Sequence, residues 1–186
     1  LIRQPCFFNA PNTSIHHPRL IGEIMSDELV NFEVGQNAPD FEAELTDGTR
    51  IRLSEILEGG DKVILYFYPK DSTPGCTKQA CDFRDNFDRL KAVGYRVIGV
   101  SKDSPKSHSN FINKHNLNFE LIVDQDIELH NLYGVWREKM NYGKTYLGVS
   151  RSTFVIGLDG NFEFVGYNVR ATGHVERLMN ELGVES

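Results

Sequence analysis

Six consecutive apolar or aromatic positions, Val63 to Tyr68, run unbroken and stop at Pro69. A run without polar alternation predicts a strand covered on both faces. Thr73 then offers an N-cap and Pro74 the favoured first helical position. Cys76, Ala80, Phe83, Phe87 and Leu90 recur at three- and four-residue spacing, so one helix is expected from Thr73 to about Ala92, broken by Gly94. Arg96 to Ser101 reads as the next strand, and Ser104-Pro105 repeats the cap-then-proline signal for a helix to about His115. Phe119 to Val123 reads as a short strand and Ile127 to Tyr133 as a short helix. Ser152 to Leu158, the Asp159-Gly160 turn and Phe162 to Tyr167 form an expected hairpin. Thr172 is the expected cap of a last helix that stops at Gly183.

Ahead of this core, Gly35 to Phe41 reads as an extended entry segment. Thr46-Asp47-Gly48-Thr49 reads as a turn into a short strand, Arg50 to Leu53, and Ser54 as the cap of a brief helix ending at Gly59-Gly60. The order β-α-β-α-β-α-β-β-α predicts an α/β fold, a central mixed sheet with helices on both faces. The sequence shows no internal repeat, no low-complexity stretch and no second core.

Residues 1–30 break this regularity. Up to Ile24 they carry three prolines, the pair His16-His17 and no helical or strand period. Cys6-Phe7-Phe8 is too short for the apolar core of a secretory signal, and the segment is poor in Ser and Arg for a transit peptide. Met25-Ser26-Asp27-Glu28 reads like a natural start, so the upstream residues are expected to be a poorly ordered extension, with one domain over 31–186.

Composition narrows the class. A formal net charge of −6 argues against a nucleic-acid partner, and no apolar run approaches the ~20 residues of a membrane helix. Three cysteines in 186 residues do not make a disulfide framework. They suit a reducing, cytoplasmic setting, with Cys6 a bystander.

The chemistry concentrates where strand gives way to helix. With Thr73 as N-cap, Cys76 is the third helical residue, among backbone N–H groups without helical partners and at the positive end of the helix dipole. That setting favours a thiolate. The Thr73 hydroxyl can accept from the Cys76 N–H, or turn to donate to an anion above it. Pro69 ends the strand and can shield a pocket from water. Other signals are weaker. His108 and His115 stand seven apart on one helix, but without a Cys pair at zinc spacing no metal site is expected. Trp136, Tyr142 and Tyr146 are expected to pack in the ordinary way, although they could rim the pocket or a subunit contact. Gly157-x-x-Gly160 is a strand end and turn rather than a phosphate loop.

Pro69-Lys70-Asp71-Ser72-Thr73-Pro74-Gly75-Cys76 matches the Pro-x-x-x-Thr-x-x-Cys signature of peroxiredoxins. The longer stretch through Thr77-Lys78-Gln79-Ala80-Cys81 and Phe83-Arg84-Asp85 resembles the Q-type, bacterioferritin-comigratory subfamily. Tyr133-Gly134-Val135-Trp136, Gly143-Lys144-Thr145-Tyr146 and Arg151-Ser152-Thr153-Phe154-Val155-Ile156 are similar to it too, so the likeness spans about Val34 to Leu182. The element order is a thioredoxin-like layout, in keeping with that resemblance.

The resemblance implies that Cys76 is the peroxidatic nucleophile, that Thr73 hydrogen-bonds the peroxide, and that Arg151 stabilises the thiolate and the leaving oxygen. Arg151 also has a case from its position, since it directly precedes the Ser152 strand, at a sheet edge. It further implies a hydroperoxide substrate, thioredoxin or a similar dithiol protein as reductant, a monomer or weak dimer, and chemistry that needs neither metal nor organic cofactor. Cys81 is the implied resolving cysteine. On an ideal helix residues five apart have Cα atoms roughly 8.6 Å apart, beyond the ~7 Å reach of a disulfide, so Cys76 and Cys81 can join only if the helix unwinds. A peroxide-sensing relay that passes its oxidation to a partner is the alternative reading. A thiol–disulfide oxidoreductase is disfavoured by the absence of Cys-x-x-Cys.

Overall fold

The computed structural model describes residues 29–185. The expected tail, and with it Cys6, lies almost wholly outside them.

A seven-stranded sheet runs through the molecule in the order β2-β1-β5-β4-β3-β8-β9. Its centre is β3 (Lys62–Phe67), β4 (Tyr95–Ser101) and β5 (Glu120–Val123), which pair in parallel. β8 (Ser152–Ile156) lies antiparallel against β3 and carries β9 (Phe162–Gly166) on its other side. The far edge is the hairpin of β1 (Glu42–Leu45) and β2 (Arg50–Arg52), closed through the expected Thr46–Thr49 turn. This is the thioredoxin-like mixed sheet.

β3 shows why the apolar run is continuous. Val63, Leu65 and Phe67 pack into one core with Leu53 and Ile56 of α1 (Leu53–Glu58) and Leu129 of α5 (Glu128–Leu132). Ile64, Tyr66 and Tyr68 point the other way. They meet α2 (Pro74–Asp85), α3 (Phe87–Ala92), α4 (Pro105–His115) and α6 (His174–Glu181). Alternate side chains leave a strand on opposite faces, so a strand with a helical layer on each side must be apolar throughout.

Several expectations needed correction. The single helix to Ala92 is two, because the backbone of Asn86 leaves the helical region at φ −105, ψ 6, where its side chain also donates to the Asp82 carbonyl at 2.8 Å. Ser54 does not cap α1. Its hydroxyl bonds Asp40 at 2.9 Å, and Arg52 holds the N-cap position without a side-chain bond. Gly173, left-handed at φ 69, replaces Thr172 before α6.

A second sheet was not anticipated. β6 (Trp136–Asn141) and β7 (Lys144–Val149) pair antiparallel around Tyr142-Gly143, both at positive φ, as in a tight hairpin of the primed type. Ordinary packing fails for Tyr142, which is 99% exposed at the hairpin tip, and Tyr146 is 46% exposed. Trp136 is half-buried against the first core, with the Lys102 ammonium 5.4 Å from its ring centroid. No helix among the described residues is long and apolar enough to cross a membrane.

Candidate active site

Where β3 ends, the chain passes through Pro69 to Thr73 and enters α2. Thr73 takes the N-cap position in extended conformation with Pro74 next, as the pattern predicts. The first backbone bond of the helix runs from Thr77 N–H to the Thr73 carbonyl at 2.8 Å. The amides of Gly75 and Cys76 precede it and have no place in the helical ladder. The Thr73 hydroxyl does not cap them. It donates to the Lys70 carbonyl at 2.9 Å.

Cys76 is 1% exposed, and neither its thiol nor that of the half-buried Cys81 is in a disulfide. Arg151 precedes β8, and its Nη2 stands 3.4 Å from Cys76 Sγ while Nη1 donates to Gln79 Oε1 at 2.7 Å. β8 is an interior strand, so Arg151 sits at a strand end rather than on a sheet edge. The Arg151 carbonyl accepts from Val169 N–H at 2.8 Å, which ties the loop before α6 to the same place. Pro69 is half-buried at the end of β3. Cys76 and Arg151 therefore meet at the start of α2, with Thr73 at its N-cap and Pro69 at the head of the loop that leads into it. Cys81 lies on the same helix, 140° or so farther round by helical geometry.

Gln79 was missed in the sequence, although it falls three residues after Cys76 and so on the same helix face. It is fully buried, and its Nε2 has no partner among the described residues. Gly75 was noted only as part of the turn. A Cβ there would stand 3.3 Å from Arg151 Nη2 and 3.6 Å from Ala171 Cβ, so glycine leaves room for the guanidinium.

Beneath the loop lies a buried polar group. Asp71 accepts from Tyr68 Oη at 2.7 Å and Ser107 Oγ at 2.8 Å, and its Oδ2 meets His108 Nδ1 at 2.8 Å. His108 Nε2 lies 3.0 Å from the Ile122 carbonyl, so both ring nitrogens face acceptors. Burial works to raise the Asp71 carboxyl, but the bonds from His108 and Tyr68 outweigh it and hold it below the ordinary carboxylate value. His115 is not part of this group; it packs edge-on to Phe111 at the end of α4. Asp71, Asp103 and His108 place potential ligand atoms within 4.8 Å of one another. Those atoms are already engaged by one another and by hydroxyl and amide donors, which makes the cluster a hydrogen-bond network.

His174 opens α6 behind β8, its Nε2 2.8 Å from Thr153 Oγ1. Burial first, and then the Arg177 and Arg151 charges, push it down to about 4.

Comparison with known proteins agrees with this geometry. The AhpC/TSA family profile matches residues 34–165. The chain belongs to the AhpC/TSA family. It is 45% identical over 154 residues to a putative peroxiredoxin bcp of Helicobacter pylori, covering 83% of this chain and 100% of that one. It is 42% identical over 153 residues to Peroxiredoxin Bcp of Bacillus subtilis, covering 82% and 96%. Among solved structures, a Xanthomonas campestris Bacterioferritin Comigratory Protein superimposes with TM-score 0.74 at 35% identity, covering 81% of this chain and 98% of that one. This AhpC/TSA member is thus a peroxiredoxin of the Bcp, or Q, type, and peroxidase chemistry comes with that membership.

Proposed function

We propose that this chain is a thiol-dependent peroxidase in which Cys76 attacks the O–O bond of hydrogen peroxide or an organic hydroperoxide. The observation that carries the reading is the Arg151 guanidinium 3.4 Å from a thiol in the first turn of a helix. A fixed positive charge and unpaired amides at one sulfur favour the negative charge that builds on the departing oxygen.

The Cys76 thiolate attacks one peroxide oxygen, an S–O bond forms and the O–O bond breaks. The other oxygen takes a proton and leaves as water or alcohol, and Cys76 becomes a sulfenic acid. Thr73 hydrogen-bonds the peroxide, and Pro69 helps to keep water from the sulfur. Gln79 holds the guanidinium in register from the other side. The Xanthomonas campestris Bacterioferritin Comigratory Protein has alkyl peroxide reduction activity, which supports organic hydroperoxides as substrates here.

In the second stage Cys81 attacks the sulfenic sulfur, water leaves and a Cys76–Cys81 disulfide forms. A thioredoxin-like dithiol then reduces it by exchange. Steady-state turnover with hydrogen peroxide or cumene hydroperoxide and a thioredoxin system tests the scheme. Cys76→Ser should abolish peroxide consumption. Cys81→Ser should consume one equivalent of peroxide per Cys76 and then stall. Full turnover by Cys81→Ser would remove Cys81 from the mechanism, and a wild-type protein that stops after one equivalent would make it a relay instead.

A further inference from the structure

Two carboxylates grip the loop between Pro69 and Thr73, and the chemistry above gives neither a task. The peptide between Lys70 and Asp71 is trans, so its C=O and N–H point to opposite sides. The N–H donates to Asp103 Oδ2 at 2.9 Å, and the C=O accepts from Thr73 Oγ1 at 2.9 Å. One peptide plane therefore links Asp103 to the Thr73 hydroxyl. Asp103 is itself fixed by Ser101 Oγ at 2.6 Å. The same peptide is anchored at its other end by the Asp71 side chain, 5% exposed and bonded to Tyr68, Ser107 and His108. The loop needs such anchorage, because Ser72 sits in the left-handed region at φ 59, a conformation residues with a Cβ seldom adopt unless their surroundings impose it.

The consequence is a polarity. A hydroxyl has one hydrogen and two lone pairs. With its hydrogen committed to Lys70, Thr73 can only accept from an incoming group. A hydroperoxide carries an O–H and needs an acceptor there. A rotated peptide would turn its N–H toward Thr73 and reverse the hydroxyl. We propose that Asp103 and Asp71 are positioning residues for the peroxidase reaction: they lock the Lys70–Asp71 peptide so that Thr73 gives its hydrogen to Lys70 and offers its lone pairs to the hydroperoxide O–H. This rests on the reading of Thr73 as a peroxide contact.

The test compares two reactions of Cys76 in the reduced, full-length protein. One is oxidation by hydrogen peroxide in a single turnover. The other is alkylation by iodoacetamide, followed on the Cys76 peptide by mass spectrometry, which needs the thiolate but no Thr73 acceptor. Asp103→Ala should slow peroxide oxidation about tenfold or more, the worth of one hydrogen bond in the transition state, and leave alkylation within about twofold. Asp103→Asn keeps an acceptor for the Asp71 N–H and should restore most of the peroxide rate. In a Thr73→Val background Asp103→Ala should cost nothing further.

A peroxide rate within about twofold of wild type in Asp103→Ala overturns the proposal. Equal losses in both reactions also overturn it, since they mean a general disturbance of the thiol. If Asp103→Ala fails to fold, Tyr68→Phe removes one hydroxyl from Asp71, and the proposal requires the same selective loss in a milder form; no split there overturns it. Thr73→Val alone separates the two levels. If it leaves peroxide oxidation intact, the role of Thr73 itself is wrong, whereas a slow Thr73→Val beside a normal Asp103→Ala removes only the clamp.

Discussion

At Cys76 the proposed chemistry rests on a contact made by one nitrogen of a planar, permanently charged fork, with the other nitrogen held by Gln79. Such a fork works only if nothing stands between it and the sulfur, and Gly75 is where something could. A methyl group at that position would meet Arg151 Nη2 at 3.3 Å, closer than most real contacts of its kind, so the guanidinium would have to move. Gly75→Ala should therefore slow single-turnover peroxide oxidation several-fold. Stability should hold or rise by up to about 1 kcal/mol, because alanine is the better helix former. Stopped-flow kinetics and a urea unfolding curve on the same sample check both halves. An unchanged rate would mean that the fork has room to retreat without losing its hold. The motif gave the residue types around Cys76. It did not give Gln79, whose position on the Cys76 face is visible only once the helix is granted and its packing known.

In the proposed scheme α2 must both hold Cys76 and release it. Ala80 and Phe83 are fully buried, with the Phe83 ring centroid 4.6 Å from that of Tyr66. Arg84 is fastened to the His115 carbonyl at 2.6 Å. Freeing Phe83 alone costs about 2–3 kcal/mol of lost burial, so the reduced helix stays closed by default. Joining Cys76 to Cys81 requires that cost, since the closed helix keeps their Cα atoms roughly 8.6 Å apart. The break at Asn86 sets a natural limit to the opening, because α3 has its own place against β4. Amide exchange should show protection lost from Cys76 to Arg84 in the oxidised protein and kept in α3, β3 and β4. Equal protection of α2 in both redox states would rule out unwinding as the route to the disulfide.

Across the whole molecule, Arg151 reaches Cys76 over 75 residues of sequence. The antiparallel register of β3 and β8 explains it, since Phe67 faces Ser152 and the end of one strand lies beside the beginning of the other. Global stability carries a mark of the same region through His174. Its ordinary value of 6.5 falls to about 4 in the folded chain, where burial disfavours the charged ring. The unfolded chain then binds a proton first as the pH drops. Its contribution is complete above 6.5 and is lost as the pH falls toward 4, by at most about 3 kcal/mol. Denaturant titrations at several pH values should show wild type losing stability over that window and His174→Gln losing less. Parallel curves would mean that the ring is not held neutral by the fold.

The sequence by itself determined what short-range rules control. The unbroken run Val63–Tyr68 required a strand covered on both faces, and Thr73-Pro74 required a helix start that puts Cys76 in its first turn. Backbone sterics and orphan amides act within a few residues, so one stretch of chain suffices to read them. The tertiary structure decided which distant groups meet there, and in what sense. It broke the long helix at Asn86, where the backbone turns out of the helical region and the side chain folds back onto the Asp82 carbonyl. It formed the β6–β7 hairpin around a Tyr142-Gly143 turn that offers no Asn-Gly signal. It also turned the Thr73 hydroxyl toward Lys70 rather than toward the helix amides. Each of these outcomes follows from competition among hydrogen-bonding partners or from burial against elements far along the chain, and only the assembled fold contains all the competitors.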